Sequence, residues 1–155
     1  MLNNFDKCLA FTLLYEGGWS DNPHDPGGAT MKGITLRTYS NVLGRQASIT
    51  ELRNIPSSVV ADIYRRDYWD YIKGDILPAG VDLIAFDIAV NMGVGRANQF
   101  MARAHNLPQL ALIHSLDRQR IGFWRILRSW LYFSRGWLAR ENACLDLALK
   151  MEAGR

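Results

Sequence analysis

The sequence predicts a mainly α fold, and three observations carry that reading. Apolar residues recur at helical spacing along most of the chain. No run of alternating polar and apolar residues is long enough to found a sheet. Gly, Pro, Asp and Asn gather where such helices would have to end. The 155 residues are one domain's worth, and 48% are hydrophobic, 21% charged and 11% aromatic. Disordered, collagenous and low-complexity classes are excluded by that composition.

Taken in order, a first helix is expected over residues 2–16, ended by Gly17-Gly18, since glycine accepts the left-handed C-terminal conformation. Residues 19–35 read as loop, with at most a small β-hairpin around residues 29–34. Thr35 caps a helix to about residue 42, and Ser57 caps another over residues 58–71. A helix over residues 81–92 breaks at Gly93-Val94-Gly95, and a further one runs to His105. After Pro108 the helical pattern resumes to about residue 132, pauses at residues 134–136 and closes as residues 137–151. No internal repeat or long linker appears, so one compact body is expected.

Charge is unevenly spread. Residues 1–95 hold eight Lys and Arg against eleven Asp and Glu, a balance of −3, whereas residues 96–155 hold ten against four, a balance of +6. Arginine supplies nine of those ten, and its planar fork suits carboxylates and phosphates. Arg96, Arg103, Arg118, Arg120, Arg125, Arg128, Arg135 and Arg140 are therefore expected to attract an anionic polymer. Cys8 and Cys144 are too few for a disulfide scaffold and read as buried free thiols, with a single bridge between the chain ends as the alternative. The first apolar run is short and has no small-residue cleavage site after it, so no secretory signal is expected and synthesis is placed in the cytoplasm. No uncharged stretch approaches the ~18 residues of a membrane span, so no stable membrane insertion is expected.

The first helix holds the most informative residue. With Phe5 at zero and 100° per residue, Leu9 falls at about 40° and Glu16 at about 20°, the middle of the apolar face. Desolvation there, together with the negative potential of the helix C-terminus, disfavours the charged carboxylate. A carboxyl that keeps its proton is what glycoside cleavage needs, because the leaving sugar oxygen must be protonated. Glu16 could equally cap the helix end or pair with an arginine. Asp21 and Asp25 follow within the loop, and Asp25 with Thr30 could hold a water against the opposite face of a sugar. Asp beside Pro and Gly is also ordinary turn chemistry.

Glu16-Gly17-Gly18-Trp19, followed by Asp25-Pro26-Gly27-Gly28-Ala29-Thr30-Met31-Lys32-Gly33-Ile34-Thr35, resembles the signature of glycoside hydrolase family 108. That family comprises N-acetylmuramidases of phage-endolysin type, sometimes labelled secretion activators. The resemblance extends through Tyr68-Trp69 and through Phe86-Asp87-Ile88-Ala89-Val90-Asn91-Met92-Gly93. Phe133 and Gly136-Trp137-Leu138-Ala139-Arg140 look like the helical segment described in that family as peptidoglycan-binding. The resemblance implies a lysozyme-like fold, with residues 1–90 as the catalytic part and residues 91–155 as a peptidoglycan-binding part packed into the same body. It implies Glu16 as the catalytic acid, and Asp25 and Thr30 as its partners. Asp25 and Thr30 stand one residue closer together than in many phage lysozymes. Trp19 stands where the family most often has Tyr, and either ring can wall a pocket.

Tyr64, Tyr68 and Tyr71 recur at helical spacing beside Trp69, and flat aromatic faces suit sugar rings. Tyr64 and Tyr71 read as core, and Tyr68 and Trp69 as substrate contacts. Asp87 and Asn91 lie one turn apart in an apolar helix, where they line a groove or brace it, and Asn91 is the better candidate for substrate contact. His24, His105 and His114 show no ligand-like spacing, so no metal is expected, and no nucleotide or nucleophile motif implies a cofactor.

The expected partner is the peptidoglycan glycan strand, cleaved at the β-1,4 bond between N-acetylmuramic acid and N-acetylglucosamine by a monomeric enzyme. Access to the wall would follow holin-dependent release or a host export route. A lytic transglycosylase using the same glutamate and a non-catalytic wall-binding or secretion-associated module are the alternatives. Nucleic acid is not expected as a partner, given the acidic first half and the lack of a reading motif.

Overall fold

A computed structural model of the chain describes residues 4–21 and 28–154. Among the described residues helices dominate and the one sheet is small, so the mainly α, lysozyme-like expectation holds. The chain divides into two compact units, Leu9–Tyr64 and Met1–Cys8 with Arg65–Arg155.

In the Leu9–Tyr64 unit, the end of α1 (Phe5–Leu13) leads to β1 (Trp19–Ser20), β2 (Thr30–Met31) and β3 (Ile34–Thr35). The strands form an antiparallel sheet in the order β1-β2-β3, one strand more than the hairpin expected. Lys32 and Gly33 join β2 to β3 with φ of 50° and 76°. Two left-handed residues make the type I′ turn whose twist matches that of the flanking strands. Thr35 then caps α2 (Leu36–Leu43) as expected, its side chain accepting from the Thr38 amide at 3.1 Å. The sequence reading missed α3 (Ile49–Arg53). Its signal is a Ser-x-x-Glu capping box, in which Ser48 and Glu51 each bond the other's backbone amide. Leu52, Ile55, Val60 and Ile63 are buried in this part of the chain, the last two on α4 (Ser57–Tyr64).

The other unit begins with the first turn of α1 and resumes at a π-turn, Arg65–Trp69, where the expected helix over residues 58–71 changes its winding. Asp70 N–H donates to Arg65 C=O, five residues back. A 3-10 turn, Gly74–Ile76, leads to α5 (Val81–Met92), which is buried continuously from Val81 to Ala89. Gly93 breaks it, and α6 (Val94–Arg103) follows. The last two helices are α7 (Gln109–Arg125) and α8 (Trp130–Glu152). The break between them lies about seven residues earlier than expected, and Gly136 sits inside α8 instead of ending a helix. A mid-helix glycine costs only about 1 kcal/mol, which the packing of a 23-residue helix overrides.

Asp87, Arg120, Arg140 and Glu141 form a buried cluster of ionisable side chains within this helical unit. Arg140 forks onto Asp87, with Nε to Oδ2 at 2.9 Å and Nη2 to Oδ1 at 2.8 Å. Arg120 reaches Asp87 Oδ2 at 2.9 Å and Glu141 Oε2 at 2.8 Å, and its guanidinium lies 4.6 Å from the Trp124 ring centre. Cys8 and Cys144 are free and buried, as read from the sequence, and burial pushes both thiols up.

Candidate active site

Glu16 lies outside the first helix. The helix stops at Leu13, and the amides of Leu14 and Tyr15 tighten the last turn by bonding back to Phe11 and Thr12. The wheel that placed Glu16 on the apolar face therefore ends before reaching it, and that part of the expectation is corrected. Gly17, with φ of 72°, turns the chain into β1.

The half-buried Glu16 side chain lies beside the β2–β3 turn. A Cβ placed on Gly33 would stand 3.2 Å from Glu16 Oε2, 3.5 Å from Glu16 Cβ and 2.7 Å from the Tyr64 hydroxyl oxygen. Glycine is needed there twice over, for its left-handed φ and for the space it leaves to the carboxyl. The Tyr64 hydroxyl donates to Lys32 C=O at 2.7 Å, which ties α4 to the hairpin tip. Tyr64 is buried as expected, yet its polar end serves the glutamate's surroundings, a role the sequence reading did not assign.

Thr30 is half-buried in β2, registered opposite Ser20 on one side and Thr35 on the other. Trp19 is half-buried in β1 opposite Met31, with the Arg53 guanidinium 5.0 Å from its ring centre. Asp21 is exposed just after β1. Asp25 and His24 lie outside the described residues. A groove of about 720 Å³ is lined by Gly28 and Ala29, which lead into β2, and by Leu36, Arg37, Ser40 and Asn41 of α2. Arg45, at its end, is engaged by Glu51, and that bond with the Ser48 amide holds the Glu51 carboxyl down at about 2.

The remaining candidates belong to the helical unit. Trp69 is 1% exposed, meets Phe5 and Phe86 edge to face, and donates its indole N–H to Asp75 at 2.9 Å. Gly74 packs so closely on its ring that no Cβ would fit. Trp69 is therefore a core residue with no surface to offer a sugar, which corrects the expectation. Residues five apart lie over one another in a π-turn, and this winding carries Trp69 inward while Tyr68 stays half-buried. Tyr71, expected in the core, is exposed. Asn91 is exposed near the end of α5, one turn beyond Asp87, which braces the buried arginines. Arg120 and Arg140 are themselves buried on carboxylates and attract no external polymer. Arg103, Arg118, Arg125, Arg128 and Arg135 are exposed, and Arg96 lies 4.0 Å from the Phe123 ring centre.

The sequence profile described as Glycosyl hydrolase 108 matches residues 9–93, a span that holds Glu16, Trp19, Asp25, Thr30, Tyr68 and Asn91. The structure of Brucella abortus SagA is similar to this chain, with 31% sequence identity and a TM-score of 0.81, covering 96% of this chain and 95% of that one. No curated protein matches.

Proposed function

This chain belongs to the glycosyl hydrolase 108 family, and from that membership we propose an N-acetylmuramidase that cleaves the β-1,4 bond between N-acetylmuramic acid and N-acetylglucosamine in peptidoglycan. Glu16 is the general acid. The observation that carries this reading is the close approach of its carboxyl to Gly33 in the β2–β3 turn, within the matched span and where the Tyr64 hydroxyl also comes near. Position comes first in acid catalysis, because the proton must be delivered along the breaking bond to the leaving oxygen.

As that bond lengthens, positive charge spreads over the sugar's anomeric carbon and ring oxygen, and water attacks from the far side. Asp25 serves as the base that takes the water's proton, or as the carboxylate that stabilises the charge, and Thr30 holds the water. Trp19, Tyr68 and Asn91 contact the glycan. Within residues 91–155, the exposed Arg103 and Arg118 draw the wall polymer. The enzyme works as a monomer and meets the wall after holin-dependent release or export.

Digestion of purified sacculi with mass spectrometry of the fragments tests the scheme. Reducing N-acetylmuramic acid ends are expected; anhydro-muramyl ends mean transglycosylation, and no fragments mean a binding module. Glu16→Gln is expected to abolish release, by at least about a hundredfold, with an unchanged circular dichroism spectrum. Digestion at the parent rate would remove Glu16 from the mechanism.

A further inference from the structure

At the corner between α7 and α8 the molecule exposes apolar side chains that its core does not use. Ile126 is 78% exposed, Leu131 82%, Tyr132 81% and Phe133 57%. Three consecutive helical residues sweep about 200° of a helix circumference, so Leu131, Tyr132 and Phe133 cannot share one face. Their common exposure means that the first turn of α8 stands clear of the body as a projecting tip. Behind it the tip is stiffened by stacked rings. Trp137 lies 5.9 Å from Phe133, 5.4 Å from Trp124 and 6.4 Å from Trp130 between ring centres.

The charge around the tip has one sign. Residues 118–140 hold six arginines and no acidic residue. Arg120 and Arg140 are buried on Asp87 and Glu141, whereas Arg125, Arg128 and Arg135 are exposed beside the apolar side chains.

We propose that this tip docks on an anionic phospholipid surface, with Ile126, Leu131, Tyr132 and Phe133 entering the headgroup layer and Arg125, Arg128 and Arg135 meeting lipid phosphates. Aliphatic and aromatic side chains ringed by arginine are the chemistry of peripheral membrane contact. Depth is limited to that layer, since among the described residues no helix is long and apolar enough to cross a bilayer. A glycan is the poorer occupant, because it offers no apolar phase for Ile126 and Leu131. A second copy docked tip to tip would set the three arginines against their own equivalents. The contact needs no part of the Glu16 site and is independent of the proposed hydrolysis.

Co-sedimentation of the full chain with phosphatidylcholine vesicles, with and without phosphatidylglycerol, tests the proposal. Retention on the phosphatidylglycerol vesicles is expected, with a blue shift of tryptophan emission. The triple variant Leu131→Ser, Tyr132→Ser, Phe133→Ser should bind at least about tenfold more weakly. Replacing Arg125, Arg128 and Arg135 by Gln should erase the preference for anionic lipid. Both variants should melt as the parent does. Failure of the parent to sediment with vesicles overturns the proposal. So does a tip variant that loses binding to sacculi, which makes the tip a wall contact, or a parent dimer that the tip variant dissolves, which makes it a self-association surface.

Discussion

Gly33 is the residue on which the candidate site most depends. Its backbone lies in the left-handed region, and the volume a side chain would fill is held by the Glu16 carboxyl and the Tyr64 hydroxyl. Gly33→Ala should therefore lower stability by about 1–2 kcal/mol for the backbone conformation alone, and displace the carboxyl as well. Loss of wall digestion well beyond what the drop in melting temperature explains is the expected result, measured by pairing a thermal melt with sacculus release. A variant as active as the parent would mean that the carboxyl does not need this seat. The glycine was visible in the sequence as part of Met31-Lys32-Gly33-Ile34. That it faces Glu16 was not, because the contact joins positions 17 residues apart through a turn that only the paired strands define.

Among the elements, the start of α2 was legible from its capping side chain, the capping box of α3 went unread, and the ends that packing decided carried no signal. Thr35 was identified as a cap and its hydroxyl accepts the Thr38 amide, so Thr35→Ala should cost about 1 kcal/mol, read as a lower urea midpoint. An unchanged midpoint would mean that the hairpin, not the cap, starts α2. By contrast, the end of α1 at Leu13, the π-turn at Arg65–Trp69 and the passage of α8 through Gly136 carry no local signal. In each case the hydrophobic pattern continues smoothly while the backbone changes its winding or keeps it. The aromatic stripe at Tyr64, Tyr68 and Tyr71 shows the consequence. One π-turn is enough to bury Trp69 and expose Tyr71, reversing the roles that ideal helical spacing assigns them.

For the whole molecule, the buried charges of the helical unit tie stability to pH. Burial, opposed by Arg120, pushes the Glu141 carboxyl from 4.5 up to about 8. Between those values the folded chain keeps a proton that the unfolded chain has released, so this group's contribution declines as pH rises from about 4.5 through about 8. Asp87 behaves oppositely. Burial pushes it up, but Arg120 and Arg140 outweigh burial and hold it below 3.8, so its contribution is present above that value and lost on acidification. The melting temperature should fall between pH 6 and pH 9, and Glu141→Gln, which keeps the uncharged form, should flatten that fall. An equal slope in parent and variant would assign the pH dependence to other groups.

Composition and periodicity were sufficient for the helical class, and the Glu16 to Thr35 segment was sufficient for the family, because both are written in local spacing that any fold of this chain must obey. Which arginines meet the outside and which pair in the interior was decided by tertiary packing alone. Arg120 and Arg128 look alike in the sequence, but one is buried between two carboxylates that come from other helices, and the other stays in water. Burial is a property of what the rest of the chain brings near, and no residue carries that information by itself.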